Sequence, residues 1–401
     1  MAVHQYRKAV HNYGREISLE SKGRKMKHLR VVLPFIGAAL IIGMNVFATG
    51  SGPAGASVNS GKAIKVGVIE DLTGVASFCG VDEAKGMQLA VKQAKAQGIN
   101  ISLDVKDDAS TAAQAVVDLH SLADSGVSAV LGSCDSAVNE ALYPIANSLK
   151  IPEIMTTGDD PTFTATPYVF GAAINSTTYV ANPVPILAKQ GVKTIATIYQ
   201  SDVPSTVADY QTQLAAEKKD GIKSLGAYPI TSTTTDFAPE VSEVAALHPD
   251  AIAILVIGSP NVTIATDLRQ AGIKVPILGQ VVMQTPFYIQ DAKSAANGSI
   301  FATDYAPSFP FASSKAFTKA WQKSDGTTAF YASATGYDAA EYLIHGLEDA
   351  KTFTSAGVLA GLNKVKGFNG AQGILKTSKQ GVLTGTGGVV EVTNGSLKYL
   401  P

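Results

Sequence analysis

The sequence predicts an α/β protein of two successive halves, each a parallel sheet covered by helices on both faces. Three observations point there. From residue 62 onward, short apolar runs alternate with segments whose apolar residues recur at helical spacing. The same rhythm restarts at Thr194. The 401 residues exceed what one ordinary core holds, so the chain fits two domains plus a leader.

In the first half, residues 63–69 read as a strand followed by a Gly-containing loop, and Ala84, Met87, Val91 and Ala94 then share one helix face. Residues 101–105 form a strand ending at Asp107 and Asp108, a pair suited to turn and cap positions more than to ligand contact. The next helix carries Ala112, Ala115, Leu119 and Leu122 inward. Residues 127–131 are a third strand, Gly132 opens its turn, and 151–155 make a short fourth strand. Such alternation specifies a parallel sheet with helices on both faces.

In the second half, 194–199 is a strand and Val207, Tyr210 and Leu214 mark the following helix face. Residues 224–228 are a strand, with Phe237, Val241 and Val244 on the helix after it. The continuous apolar run 251–257 suits a central parallel strand; 261–271 is helical and 275–278 a further strand. A late helix begins near Ser333, with Tyr337, Ala340, Ile344 and Leu347 on one side. The C-terminal end is Gly-rich and β-like, with Asn394-Gly395 as a hairpin turn.

Residues 1–61 differ from the rest. Arg7, Lys8, Arg15, Lys22, Arg24, Lys25, Lys27 and Arg30 outnumber Glu16 and Glu20, and the apolar run 31–48 and Ala54-Gly55-Ala56 follow. A basic end, an apolar stretch and an A-x-A site are the parts of a secretory signal, with translation starting at Met1 or Met26. The run is also about the ~18–20 residues a spanning helix needs, so a cleaved signal and an uncleaved anchor both stand. No cysteine follows it for lipid attachment. The charged fraction of 16% is ordinary for an exported protein, and a net charge of −1 argues for neither nucleic acid nor a strongly acidic partner.

A site belongs beyond the carboxyl ends of the strands, where helix N-termini present free N–H groups. In the first half that means loops 73–80, 132–136 and 156–160; in the second, 200–205, 258–261 and 279–284. Asp135 and Ser136 open a helix, where capping and ligand contact are equally open readings. Two sets of strand-end loops facing one another describe a cleft between domains, the commonest place for a small-molecule site.

These residues resemble the type I periplasmic binding proteins, in the branch that includes the leucine/isoleucine/valine-binding proteins of ABC transporters. The stretches that carry the resemblance are KVGVIEDLTG at 65–74, GMQLA at 86–90, VKDDA at 105–109 and VLGSCDS at 130–136. IPEIM at 151–155, TDF at 235–237, GYDA at 336–339 and GAQG at 370–373 complete the order. The family implies two Rossmann-like lobes joined by a three-crossover hinge. One lobe then spans 62–178 plus 306–385 and the other 179–305 plus 386–401. It further implies an exported solute-binding component of an ABC importer, which closes around an amino acid or a carboxylate- or amide-like solute and docks on a membrane permease.

In amino-acid-binding members a serine at a helix start and a loop residue after the fourth strand hold the α-carboxylate. The matching positions are Ser136 and Thr157, with Asp159 two residues on. Where members place a tyrosine in the second lobe, this chain has Val203-Pro204, and a second aromatic becomes Ser259-Pro260. The acid that pairs with an α-ammonium falls near Val281, with Gln280 beside it, so Asp159 could supply the negative charge from the other lobe. The candidate contacts are Phe78, Cys79, Ser136, Thr157, Asp159, Val203, Ser259, Gln280 and Val281. Cys79 and Cys134 fall in the first and third strand-end loops, which the expected strand order makes neighbours. The family's usual disulfide partner is replaced by Ser110, so the resemblance implies a Cys79–Cys134 bridge at the cleft rim.

Enzyme chemistry is not expected. His4, His11 and His28 lie in the leader and His120, His248 and His345 are scattered, so no metal spacing occurs, and there is no G-x-S-x-G elbow. Residues 55–62 lack phosphate-loop spacing, with Ala63 in place of the required Ser/Thr. Neither cofactor nor metal is implied. The alternative is a sensory ectodomain anchored by 31–48. A transcriptional regulator would need a helix-turn-helix where the leader has an apolar span.

Overall fold

Strand β1 (Ile64–Glu70) is buried on both sides: Ile64, Val66 and Val68 face one hydrophobic cluster and Ile69 another. The computed structural model describes residues 62–157, 167–173, 178–385 and 387–401, so the leader, with its apolar run and A-x-A site, lies outside the described residues. After β1 come α1 (Ser77–Ala96), β2 (Ile101–Asp107), α2 (Ala112–Asp124), β3 (Val130–Gly132), α3 (Ser136–Leu149), β4 (Glu153–Met155) and β5 (Val169–Gly171). They form a parallel sheet in the order β2-β1-β3-β4-β5. From α1, Met87, Ala90 and Ala94 cover one face, while Leu119 and Leu122 of α2 and Leu142 of α3 cover the other. Each buried Leu or Met side chain among them stabilises the fold by roughly 1.5–3 kcal/mol relative to exposure.

The loop expected over 73–80 is shorter than its spacing suggests, because α1 begins at Ser77 and takes Phe78 and Cys79 into its first turn. Gly80 permits this. A Cβ there would lie 2.6 Å from the Asp71 carbonyl oxygen, so only a bare backbone lets α1 start against the end of β1.

The second sheet follows α4 (Thr178–Ala181) and α5 (Pro183–Lys189). Its elements are β6 (Thr194–Gln200), α6 (Pro204–Asp220), β7 (Lys223–Ile230), α7 (Ala238–Ala246), β8 (Ala251–Leu255), α8 (Pro260–Gln270), β9 (Ile277–Leu278), α9 (Pro286–Ala292) and β10 (Ser299–Thr303). Next come α10 (Ala312–Ser324), α11 (Tyr331–Asp349), α12 (Ser355–Leu362) and a small antiparallel sheet of β11 (Gly367–Gly370), β12 (Gly373–Thr377) and β13 (Leu383–Thr384). A hairpin of β14 (Gly388–Thr393) and β15 (Ser396–Leu400) closes the chain, giving the second sheet the order β15-β14-β10-β9-β8-β6-β7. Asn394 and Gly395 both take positive φ in that turn, as a two-residue hairpin loop requires.

Helix α6 corrects one expected face. Val207, Tyr210 and Leu214 are half-buried, whereas Thr206, Gln213, Ala216 and Glu217 turn inward. Gln213 Nε2 donates to Thr197 Oγ1 at 2.8 Å and to Glu217 Oε1 at 2.6 Å, so a polar pair on this helix packs against the sheet, although Gln213 Oε1 and Glu217 Oε2 find no partner among the described residues.

The chain crosses between the sheets three times: between β5 and β6, between β10 and α11, and between β13 and β14. Helix α11 packs onto the first sheet, with Tyr342, Leu343 and Leu347 joining Val66 and Met87. It approaches α1 through two glycines. A Cβ on Gly86 would lie 2.3 Å from the Ser333 carbonyl oxygen, and one on Gly336 would lie 2.2 Å from that of Glu83.

Candidate functional site

At the carboxyl end of the first sheet, side chains tie the strand-end loops together. The Asp107 carboxylate accepts from the Leu72 and Thr73 backbone N–H groups at 3.1 and 3.0 Å and from the Thr73 hydroxyl at 2.8 Å. Asp108 accepts from the Ser110 N–H at 2.8 Å. Asp107 thus ties the loop after β1 to the turn after β2 while also accepting from the Ala109 N–H at 3.0 Å, and Asp108 acts within that turn. Ser133 Oγ donates to Asp71 Oδ2 at 2.7 Å. Asn139, buried on α3, accepts from the Ser133 N–H at 2.9 Å and donates to its carbonyl at 2.7 Å and to Thr157 Oγ1 at 3.1 Å. Thr156 Oγ1 lies 2.9 Å from the Ser133 carbonyl oxygen and also meets Glu83 Oε2. The loops after β1, β3 and β4 thus share one buried network.

Asp135 caps α3, its carboxylate accepting from the Ala137 N–H at 2.8 Å, while Ser136 stands exposed as the first helical residue. Of the two residues that open the helix, Asp135 is therefore the cap. Thr157 is half-buried beside them; Asp159 lies outside the described residues.

Cys79 and Cys134 are joined as a disulfide, with Cα atoms 6.2 Å apart. The bridge packs with Ala76, Phe330 and Ala332, and Phe78 and Tyr331 border the same cluster. Carboxyl oxygens of Glu70 and Glu83 lie with the Cys134 sulfur within 4.8 Å of one another. A sulfur bonded to Cys79 offers no thiolate, so this group lacks the donor a soft metal needs.

At the second sheet, Val203 follows β6 at the start of α6, Ser259 precedes α8, and Gln280 and Val281 follow β9. Because β6, β8 and β9 are adjacent, these residues share one edge. Val203 and Val281 are half-buried and Ser259 is exposed, whereas Gln280 is buried and donates from Nε2 to Asp209 Oδ2 on α6. The two edges meet where Phe78 packs edge-on against Phe287 of α9, ring centroids 5.9 Å apart.

Burial dominates the electrostatics. It pushes Glu83 up to about 8 and Glu70 well above the usual carboxylate range, the Glu83 charge adding to the Glu70 shift. Burial also raises Asp71, against the Ser133 hydrogen bond, and pushes Asp108 up to about 7 with help from the Asp71 charge. On the second sheet, burial pushes Asp209 up to about 6, opposed by its bond to Gln280.

Phe287, Asp209 and Glu83 are absent from the residues singled out by sequence. Asp209 and Glu83 sit inside helices with no motif around them, and Phe287 reaches Phe78 only through folding. The candidate loop 279–284 marks the second edge, and Asp209 reaches it through Gln280. Two open surface depressions, of about 620 Å³ beside Pro307 and Lys319 and about 340 Å³ beside Ser125 and Phe353, lie away from these loops. Among the described residues no helix is long and apolar enough to cross a membrane.

No curated protein gives a significant match. Solved structures share the fold. A leucine-binding protein from Thermotoga maritima aligns at 24% identity and TM-score 0.75, covering 84% of this chain and 98% of that one. A branched-chain amino acid transporter substrate-binding protein from Streptococcus pneumoniae, in complex with isoleucine, aligns at 23% and 0.74, covering 84% and 99%. A solute-binding protein of an ABC transporter from R. palustris, in complex with benzoate, aligns at 20% and 0.74, covering 84% and 96%. The sequence profile of a periplasmic binding protein family matches residues 63–396, and with the two sheets, three crossings and facing strand ends it shows that this chain belongs to the periplasmic binding proteins.

Proposed function

We propose that the protein is the exported solute-binding component of an ABC importer, holding a small molecule between its two lobes and delivering it to a membrane permease. The observation that carries this reading is the meeting of Phe78 with Phe287 between two sets of strand-end loops. The lobes are 62–178 plus 306–385 and 179–305 plus 386–401, hinged where the chain crosses between sheets. Energy comes from contact with both lobes at once, which favours the closed form.

The solute class is an amino acid or another small carboxylate. Isoleucine and benzoate, the solutes in two of the solved relatives, share a carboxylate. In this chain Ser136, Thr157 and the N-terminus of α3 are its partners, with Phe78 as an apolar wall. Asp209, bonded to Gln280, supplies an acid beside the second-lobe loops for a solute that also carries an ammonium.

A thermal-shift panel of leucine, isoleucine, valine, benzoate and simple amides tests the reading. A bound solute at about 100 times its Kd stabilises the fold by about 2.7 kcal/mol. At least one carboxylate should raise the Tm, and Asp209→Asn should weaken the amino acids more than benzoate. A panel with no stabilising carboxylate contradicts the assignment.

A further inference from the structure

The hydroxyls around Glu83 have too few hydrogens for the contacts they make. Thr156 Oγ1 meets Glu83 Oε2 and lies 2.9 Å from the Ser133 carbonyl oxygen. Thr335 Oγ1 lies 3.1 Å from Glu83 Oε1 and 3.1 Å from the Ala332 carbonyl oxygen. Each hydroxyl carries one hydrogen and each faces two acceptors. With Glu83 ionised, two of the four contacts lack a hydrogen. A proton on Glu83 Oε2 donates to Thr156, which frees the Thr156 hydrogen for Ser133 and leaves one contact short instead of two.

The neighbours agree. Glu83 is 1% exposed and Glu70 fully buried, with carboxyl oxygens within 4.8 Å of each other. Asp71 faces Glu83 from the turn after β1, Tyr331 from α11 and Tyr179 from α4, with Asp304 bonded to the Tyr179 hydroxyl. All are acidic or phenolic. The ion pairs among the described residues join Lys85 to Asp82 and Asp325, Lys106 to Asp104 and His345 to Glu348, so none brings a cation to this group. Two buried carboxylates this close cannot both ionise cheaply.

We infer that Glu83 is a positioning residue that keeps its proton in the native protein, and that this proton fastens the loops after β3 and β4 to α11. The glycine contact between α1 and α11 brings Glu83 to Thr335, and the hydroxyl of Thr156 carries the link onward to Ser133 and the residues beside Thr157. Ionising Glu83 leaves the single Thr156 hydrogen to serve either the carboxylate or the Ser133 carbonyl oxygen but not both, which breaks the onward link and loosens both loops. The titration pushed up to about 8 by burial places that release in mildly alkaline solution.

The test needs no solute, so its outcome is separate from that of the transport reading. Amide exchange over residues 130–157 is measured at about pH 6 and about pH 9.5, corrected for intrinsic rates, in the wild type and in Glu83→Gln, whose amide donates as the protonated acid does. The wild type should lose roughly tenfold protection relative to the variant at the higher pH and match it at the lower. Infrared spectra of the wild type at neutral pH should show a protonated carboxyl band that Glu83→Gln lacks. Thr156→Val, which cuts the link without touching the acid, should keep the band and show low protection at both pH values. Equal wild-type and Glu83→Gln protection at both pH values, or a band unchanged by Glu83→Gln, overturns the inference. Should Glu83→Gln fail to fold, the wild-type exchange profile against that of Thr156→Val decides in the same way.

Discussion

The ring of Phe78 stands edge-on to that of Phe287, at 90° and with centroids 5.9 Å apart, so the first turn of α1 touches α9 across the gap between the two sheets. Phe78 is fixed from behind by the disulfide and by Phe330 and Tyr331. Phe287 is fixed by the second-sheet core around Tyr288 and Met283. An edge-to-face pair contributes about 0.5–1.5 kcal/mol beyond its buried area. On the proposed solute-binding reading, the contact adds to the stability of the closed form. Phe287→Ala should weaken solute affinity by roughly two- to tenfold without lowering Tm comparably. Titration calorimetry with whichever solute stabilises the wild type checks this, and an unchanged Kd removes the contact from the closure energetics.

The Cys79–Cys134 bond closes a span of 55 residues that includes β2 and β3. Chain-entropy arguments assign such a closure about 4 kcal/mol at 25 °C. Thiol titration of unreduced, denatured protein should find no free thiol. The Cys79→Ser, Cys134→Ser double variant should melt well below the wild type. Two free thiols in the exported protein contradict the pairing.

Glu153 lies in β4 between β3 and β5, fully buried, with neither carboxyl oxygen hydrogen-bonded. Burial pushes its titration up to about 8. The unfolded chain releases this proton in the ordinary carboxylate range, whereas the folded chain holds it. Its contribution is whole below that range, declines as pH rises, and is lost beyond about pH 8. One such proton gives a slope of up to about 1.4 kcal/mol per pH unit. Glu153→Gln should flatten the decline in urea-determined stability between about pH 5 and pH 8 relative to the wild type. Parallel wild-type and variant curves contradict it.

Gly336 has no room for a side chain, since a Cβ would lie 2.2 Å from the Glu83 carbonyl oxygen. Gly336→Ala should push α11 from α1 and destabilise the fold by about 1–3 kcal/mol, as overpacking does. It also moves Thr335 from Glu83, so the variant should show increased amide exchange over 130–157. Wild-type stability in Gly336→Ala contradicts the close approach.

Much of the architecture was legible because it rests on local periodicity. The run 251–257 became the central strand β8 and its flanking turn, and the Asn-Gly pair became the final hairpin turn. Asp107 and Asp108 accept N–H groups within their turn, as their residue types suggest, but Asp107 also holds the loop after β1, which only the fold brings to it. What escaped depends on tertiary placement. The inner face of α6 is polar because Gln213 answers Thr197 from another element and Glu217 accepts from Gln213, and no apolar period marks that. The β-like C-terminal stretch divides between the small sheet of β11, β12 and β13 and the final hairpin, a split set by which sheet each strand joins and not by local pattern. Asp209 acquires its place only through Gln280, and Phe287 only through Phe78.

The central claim is that two lobes close on one solute, and small-angle scattering measures it directly. Saturating the protein with a solute that raises its Tm should reduce the radius of gyration, and Phe287→Ala should require more solute for the same contraction. A radius of gyration that stays constant while such a solute binds contradicts the account.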